Sequence, residues 1–439
     1  MNPIIEKYDI HIQHAWVLCL DSDFTEYRDS SILIKDGKIA YIGECLTLEP
    51  GQASENIDGS RKLVIPPFFN GHSHIAMSLF RGFRNDVPLK TWLEDYIWPA
   101  EQKYINPDNV YLGSMVSGIE MIRAGCNIFA DMYFYEESVA QAAEELGIRA
   151  IIGEAILSFP TPNKKTPADG LRYTEILHKT YFDHDLISLS IPAHAPYTCS
   201  LEILEDISAL AKELSIPTAI HLSETSSEVE ESIDKFGLTP PQYIAQSGFL
   251  DDHCICHHCN FLSDEDMKLL RKKGASVISM PNSNMLLASG IAPVKEMLDT
   301  GLVVGVGTDG AASNNNQSVL NDLQQLVRLQ KVKHQDPTAI SARHALSIGT
   351  INGAKAYRMD KLLGSLEEGK AADMIIIDTD KPPMQPIFDP YAQIIYSMQE
   401  SDIESLIING RFIMRERVII SFDEERLLAR ATRFSKNLK

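Results

Sequence analysis

The sequence lacks any uninterrupted apolar stretch of the ~18 residues that a membrane helix needs. Its opening segment, MNPIIEKYDIHIQHAWVLCLDSDF, carries acids early and no apolar core, so no secretory signal peptide is expected there. Basic residues are in short supply. Lys and Arg number 40 against 60 Asp and Glu, a formal net charge of −20 at pH 7. That field argues against a nucleic-acid backbone or an anionic membrane as partner and suits a small neutral or zwitterionic molecule. Cysteine is sparse and odd in number: Cys19, Cys45, Cys126, Cys199, Cys254, Cys256 and Cys259. In a large chain without a leader these read as free thiols in a reducing cytosol. Neither an internal repeat nor a low-complexity tract occurs. The expectation is a cytoplasmic globular protein, a homo-oligomer, acting on a small molecule.

The 439 residues exceed one small core, and a barrel of ~250 residues with a smaller second domain would account for them. Both ends are rich in short β runs. SSILIKDGKIAYIGE reads as strand, Asp-Gly turn, strand, and GSLEEGKAADMIIID and ESLIINGRFIMRE have a related texture. Residues 1–64 and 365–439 are therefore expected to meet in one composite β-sandwich domain. Between them, residues 65–364 alternate buried strands with amphipathic helices such as SLEILEDISALAKEL and DEDMKLLRKKG. The strand candidates are LVIPPFFNGHSH, CNIFADM, GIRAIIGEAI, LISLSIPAHA, PTAIHLSE, CICHHCN, GASVISM and LVVGVGTDG. This succession predicts an α/β fold, a (β/α)₈ TIM barrel, with an open doubly wound sheet as the competing pattern.

Most of these strands end in a residue suited to metal binding or proton transfer, and in a barrel such ends converge on one mouth. The first ends in His72-Ser73-His74, the fourth in His194, the fifth in His221, the sixth in His258 and the eighth in Asp309. His-x-His on a strand puts both rings on one face, ~6–7 Å apart along the chain, so that both can close on one ion. Alone, the pair would be ordinary histidines. With His221 and Asp309 they read as ligands for one divalent metal ion per chain, Zn²⁺ first, with Fe²⁺ and Mn²⁺ as alternatives. Glu224, just past His221, is placed to shuttle a proton without binding the ion. In Cys254-Ile-Cys-His-His-Cys259 the thiols read as small buried apolar groups, since no second cluster exists at finger-like spacing. Strand parity leaves the choice between His257 and His258 open.

These segments resemble the amidohydrolase superfamily, and within it the branch of S-adenosylhomocysteine and 5′-methylthioadenosine deaminases that neighbours the triazine chlorohydrolases. The resemblance rests on NGHSHIAMSLFRGF, TWLEDYIWPAE, PAHAPYTCS, HLSET, HHCNFLSDED, MPNSNMLLASGIAPV and GVGTDGAASNNN, in order and over nearly the whole chain. It implies a metal-dependent hydrolase with His72, His74, His221 and Asp309 as ligands and Glu224, His258 and Asp309 as catalytic groups. The family's His-Cys step falls on His258-Cys259 and so selects His258. The lysine of binuclear members has no counterpart in PAHAPY, which implies a single ion.

By the same resemblance Glu101 accepts the two ribose hydroxyls, Trp92 lines the pocket, and His194 contacts sugar or base. Glu224 also touches the substrate, and Arg172 matches the second of two arginines that grip a homocysteine carboxylate. The first arginine is absent: its place falls near Glu154 or Ala155, with Lys164 and Lys165 as the nearest cations. The implied reaction is hydrolytic deamination of an adenosine-type nucleoside to the inosine analogue and ammonia, with an uncharged 5′ group favoured. Glu101 speaks against a triazine or free base, for which a diol-binding carboxylate has no use. The complete ligand set speaks against a catalytically silent scaffold.

Overall fold

The computed structural model describes residues 7–420 and 422–436. The N-terminal strands are β1 (Tyr8–Leu18), β2 (Glu26–Lys35), β3 (Lys38–Glu44), β4 (Ala53–Asp58) and β5 (Lys62–Ile65). Asp36 and Gly37 between β2 and β3 both take positive φ, 50° and 74°, the conformation that a two-residue hairpin demands. The run LVIPPFFNGHSH does not form one strand. Pro66 and Pro67 cannot donate to a ladder, so β5 ends at Ile65 and β6 (Phe68–Ser73) begins in a different sheet.

Eight further strands follow: β7 (Cys126–Asp131), β8 (Arg149–Ile152), β9 (Ile187–Leu189), β10 (Ile191–Ala193), β11 (Thr218–Leu222), β12 (Cys254–His258), β13 (Ser276–Ser279) and β14 (Val304–Val306). They form two parallel sheets in strict sequence order, β6-β7-β8-β9 and β10-β11-β12-β13-β14. A single residue, Ser190, separates β9 from β10. At the other seam the N–H groups of Thr308 and Asp309 donate to the His72 carbonyl at 3.1 and 3.0 Å. Helices cover the strands in between, two of them the predicted Leu201–Leu214 and Asp264–Lys273, capped by the hydroxyls of Ser200 and Ser263.

The chain then returns to the terminal sheet with β15 (Met374–Asp378), β16 (Ile403–Ile408), β17 (Arg411–Arg415) and β18 (Val418–Ile419). Asn409-Gly410 makes the β16–β17 turn with φ of 49° and 70°. The two termini share one mixed ladder, β18-β17-β16-β15-β5-β1-β2-β3, with β4 also on β1. This is one continuous sheet where a sandwich predicts two. Strand β1 is long enough to pair with β4 through its first half and with β5 through its second. Bulges after Gln13 and Ala15 bend it between the two, and a separate apolar cluster including Ile12, Val17, Ile34 and Ile376 fills one side. All seven cysteines are free thiols. Among the described residues no helix is long and apolar enough to cross a membrane.

Candidate active site

Because the parallel strands point the same way, their C-terminal ends deliver side chains to one cavity. His72, His74 and His221 bring ring nitrogens that all lie within 4.8 Å of one another. Backbone carbonyls set the rings: His74 Nδ1 meets Met132 O at 2.5 Å and His221 Nδ1 meets His194 O at 2.7 Å. With Nδ1–H donating outward, the Nε2 lone pairs turn inward, and His221 Nε2 stands 3.1 Å from His72 Nε2. Burial holds His72 down at about 4 and His221 well below the usual histidine range, so both rings are neutral donors near pH 7. Three imidazole nitrogens facing one point, those of His72 and His221 on neutral rings, fit a divalent cation of the zinc type.

Asp309 completes this arc. Its Oδ1 lies 3.2 Å from His74 Nε2 and 3.5 Å from His72 Nε2. Its Oδ2 accepts hydroxyls from Ser283 at 2.5 Å and Ser313 at 3.0 Å. Burial opposes its ionisation, but the two histidines outweigh burial and hold it well below the ordinary carboxylate range. The same pairing lifts His74, against its burial, to about 9.

Glu224 and His258 face each other across the cavity, Oε2 to Nε2, at 3.7 Å. Desolvation raises Glu224, which accepts from Ser289 at 3.2 Å. Its backbone is tied down by buried Glu228, which accepts from the N–H groups of Ser223 and Glu224 at 2.8 and 2.7 Å. His258 Nδ1 donates to Asn284 Oδ1 at 2.8 Å, leaving Nε2 for the cavity. Parity fails at this strand end for a backbone reason. His258 and Cys259 have φ of 63° and 54°, so the chain turns left-handed and swings His258 to the mouth. His257 stays beneath, its ring centroid 3.9 Å from that of His72, with no hydrogen-bond partner for either nitrogen. Ser223 and Asp309 also have positive φ, 50° and 63°, so left-handed backbone clusters at this mouth.

The outer wall is a helical run, Leu89–Thr91, Trp92–Ile97 and Trp98–Tyr104, whose middle turn is a π-helix. It brings Trp92 and buried Glu101 into the cavity lined by His74, His194, His221, Glu224, His258 and Asp309. Glu101 is pushed up to about 7 by burial, against the influence of nearby Tyr133 and His74. No lysine or arginine is among the residues lining this cavity.

Arg172 is not brought here. It lies on the exposed face of the helix Pro167–Tyr181 and pairs with Asp169 at 2.5 Å, one turn away, and is not among the residues that line the cavity. Lys164 is also engaged elsewhere, 3.6 Å above the Tyr173 ring and 3.9 Å from Glu154, and Lys165 is exposed. Sequence reasoning missed Ser283 and Ser313, which hydrogen-bond Asp309, Asn284, which hydrogen-bonds His258, and Ser289, which hydrogen-bonds Glu224. Three of them sit within MPNSNMLLASGIAPV, but nothing in that string says which hydroxyl meets which carboxylate.

A family model for the amidohydrolase family matches residues 63–413. The 5-methylthioadenosine/S-adenosylhomocysteine deaminase 1 of Syntrophus aciditrophicus is 38% identical over 99% of this chain and 98% of its own. The 5′-deoxyadenosine deaminase of Methanothermobacter thermautotrophicus is 39% identical over 91% of this chain and 92% of its own. The crystal structure of an adenosine deaminase from Xanthomonas campestris with bound zinc superposes with a TM-score of 0.95 at 28% identity, covering 99% of both chains.

Proposed function

Because the chain belongs to the amidohydrolase family, we propose that it hydrolytically deaminates an adenosine-type nucleoside, releasing ammonia and the inosine analogue. Relatives named for 5′-methylthioadenosine, S-adenosylhomocysteine and 5′-deoxyadenosine support this substrate class. The observation that carries it is the meeting of Glu101 with His74, His221, Glu224, His258 and Asp309 in one cavity. A buried carboxylate there can accept both hydroxyls of a ribose while the reactive groups face the base.

His72, His74, His221 and Asp309 would hold one divalent ion, zinc on the chemistry of the donor set, and His258 and Glu224 would stay off it. When bound, the ion supplies the Lewis acidity that brings the pKa of a water from ~15.7 towards ~7. Asp309, steadied by Ser283 and Ser313, takes the proton of the water that attacks C6 of the adenine ring. Glu224 gives its proton to ring N1, a role helped by the burial that raises it. Nε2 of His258 meets the attacking oxygen, its ring aligned by Asn284. The proton on Asp309 passes to the C6 amine, which leaves as ammonia, while the C6 hydroxyl gives up its proton to restore Glu224 and becomes the carbonyl of the product. Trp92 lines the pocket and His194 contacts sugar or base. The inner cavity has no lysine or arginine in its lining, which supports an uncharged 5′ group, and Lys90 lines only the wider groove outside it.

The same reading takes residues 65–364 as one closed (β/α)₈ barrel and residues 1–64 with 365–439 as the composite β domain. The hydrogen bonds from Thr308 and Asp309 to His72 support closure. A panel of 5′-methylthioadenosine, 5′-deoxyadenosine, adenosine, S-adenosylhomocysteine and free adenine tests the function, read by the absorbance change from adenine to hypoxanthine. Turnover of the nucleosides with an uncharged 5′ group above the others is the expected result. Turnover of free adenine alone would overturn it.

A further inference from the structure

Far along the chain from the cavity ligands, the terminal sheet assembles a second group of metal-competent atoms. His14, Asp29 and Cys45 each offer one donor, and the three lie within 4.8 Å of one another. His14 Nδ1 is 2.7 Å from Asp29 Oδ1 and 3.5 Å from Cys45 Sγ. None of the three lines the cavity. We propose that His14, Asp29 and Cys45 form a second metal site, for a borderline divalent cation of the zinc class, that staples three neighbouring strands of the terminal sheet.

The strand register explains how the three meet. Ser31 pairs with Gln13 and Ser30 with Ala15, so His14 is the extra residue of a bulge on β1. Val17 next pairs with Tyr27, which leaves Arg28 and Asp29 on β2 opposite the single residue Trp16, a second bulge. His14 and Asp29 both take positive φ, 60° and 54°, and a bulge re-aims its side chain out of the regular alternation. On the far side, Ser30 pairs with Glu44, so Cys45 comes level with Asp29 as β3 ends. Two bulges and a strand end thus line up three donors across three strands that local sequence alone would not bring together.

The donor set selects the ion. Imidazole, carboxylate and thiolate together suit zinc, cobalt(II) or copper(II) and disfavour magnesium and calcium, which take oxygen. Metal–ligand bonds of about 2.0–2.3 Å place tetrahedral donors about 3.2–3.7 Å apart. The 3.5 Å between His14 and Cys45 falls in that range, and the 2.7 Å between His14 and Asp29 opens when the ion replaces the proton they share. Water completes the coordination, since His14 and Asp29 are 50% and 73% exposed. Binding releases the Cys45 thiol proton to solvent and shifts the His14 Nδ1 proton to Nε2 of the same ring: the S–H and Nδ1–H bonds break, S–metal and N–metal bonds form, and no redox partner is needed. Affinity therefore rises with pH. Ser31 buttresses the arrangement, donating to Cys45 Sγ at 3.8 Å and facing buried His11 at 2.8 Å.

The test is a zinc titration of the full chain against a chromophoric chelator, repeated with cobalt(II). The expected result is a second, weaker equivalent in the wild type, with a thiolate-to-cobalt charge-transfer band. Cys45→Ser and His14→Asn should each lose that equivalent and the band. Asn keeps the left-handed backbone accessible, and both positions are solvent-accessible, so both variants should fold and deaminate at the wild-type rate with the first equivalent bound. A wild type that takes up a single equivalent under a tenfold excess of zinc would overturn the proposal. So would a second equivalent that survives both substitutions.

Discussion

The hydroxyl of Ser283 donates to Oδ2 of Asp309 over 2.5 Å, from the helix Pro281–Leu286 to the end of the last parallel strand. The carboxylate therefore has one oxygen held from outside and the other aimed at His72 and His74. Groups that orient a ligand in this way typically contribute ~10–100-fold to metal affinity or activity. Ser283→Ala should lower zinc affinity or kcat/KM by about that factor, with Ser313 left as the sole hydroxyl donor to Oδ2. A variant equal to wild type in both measurements would remove Ser283 from the site's support.

Glu224→Gln keeps the shape of the side chain and its contact with Ser289 but cannot give up a proton. Its zinc content and melting temperature should match the wild type, while kcat falls by ~10²–10⁴-fold, the usual contribution of a placed proton-transfer group. Near-normal turnover would exclude it from that role.

Glu101 gives a pH dependence with a definite sign. Burial lifts its carboxyl from 4.5 to about 7, so between those values the folded chain keeps a proton that the unfolded chain releases. Stability from this group is therefore lost as pH rises through that window. Glu101→Gln, which never ionises, should be more stable than wild type above pH 7, with the difference closing towards pH 4.5. Denaturant midpoints at both ends of the window measure it. The carboxylate form is also the one that accepts ribose hydroxyls, so KM for ribonucleosides should rise as pH falls below about 7. A 2′,3′-dideoxy analogue should lack that dependence.

Arg172→Ala should change kcat/KM for 5′-methylthioadenosine and for S-adenosylhomocysteine by less than about twofold, since exposed pairs of this kind contribute little. Steady-state kinetics on both substrates check it. A selective loss on S-adenosylhomocysteine would show that the helix Pro167–Tyr181 moves to reach the substrate.

The histidines and Asp309 were legible because strand period and strand-end position are local properties. Their spacing in the chain already says which rings share a face and which strands share a mouth. The choice of His258 over His257 needed either the family's His-Cys step or the backbone. The left-handed turn at His258 and Cys259 breaks the alternation on which a parity reading depends. The way the Arg172 side chain turns was not legible. Capping contacts at Thr166 and Asp169 orient that first turn, and Arg172 closes onto Asp169 instead of the cavity.

By itself, then, the sequence determined the alternation of strands and helices, the β domain shared by both ends, the strand-end positions of the histidines and Asp309, and the family. Each of these follows from periodicity or from the order of short motifs. Only the tertiary structure decided that the Pro66-Pro67 step divides the first strand candidate between two sheets, that the terminal strands run as one bent ladder, and which hydroxyls steady Asp309. It also decided that Glu101 is buried beside the histidines and that Arg172 is not. Those outcomes depend on groups distant in the chain competing for the same hydrogen bonds and the same dry volume, and only packing settles that competition.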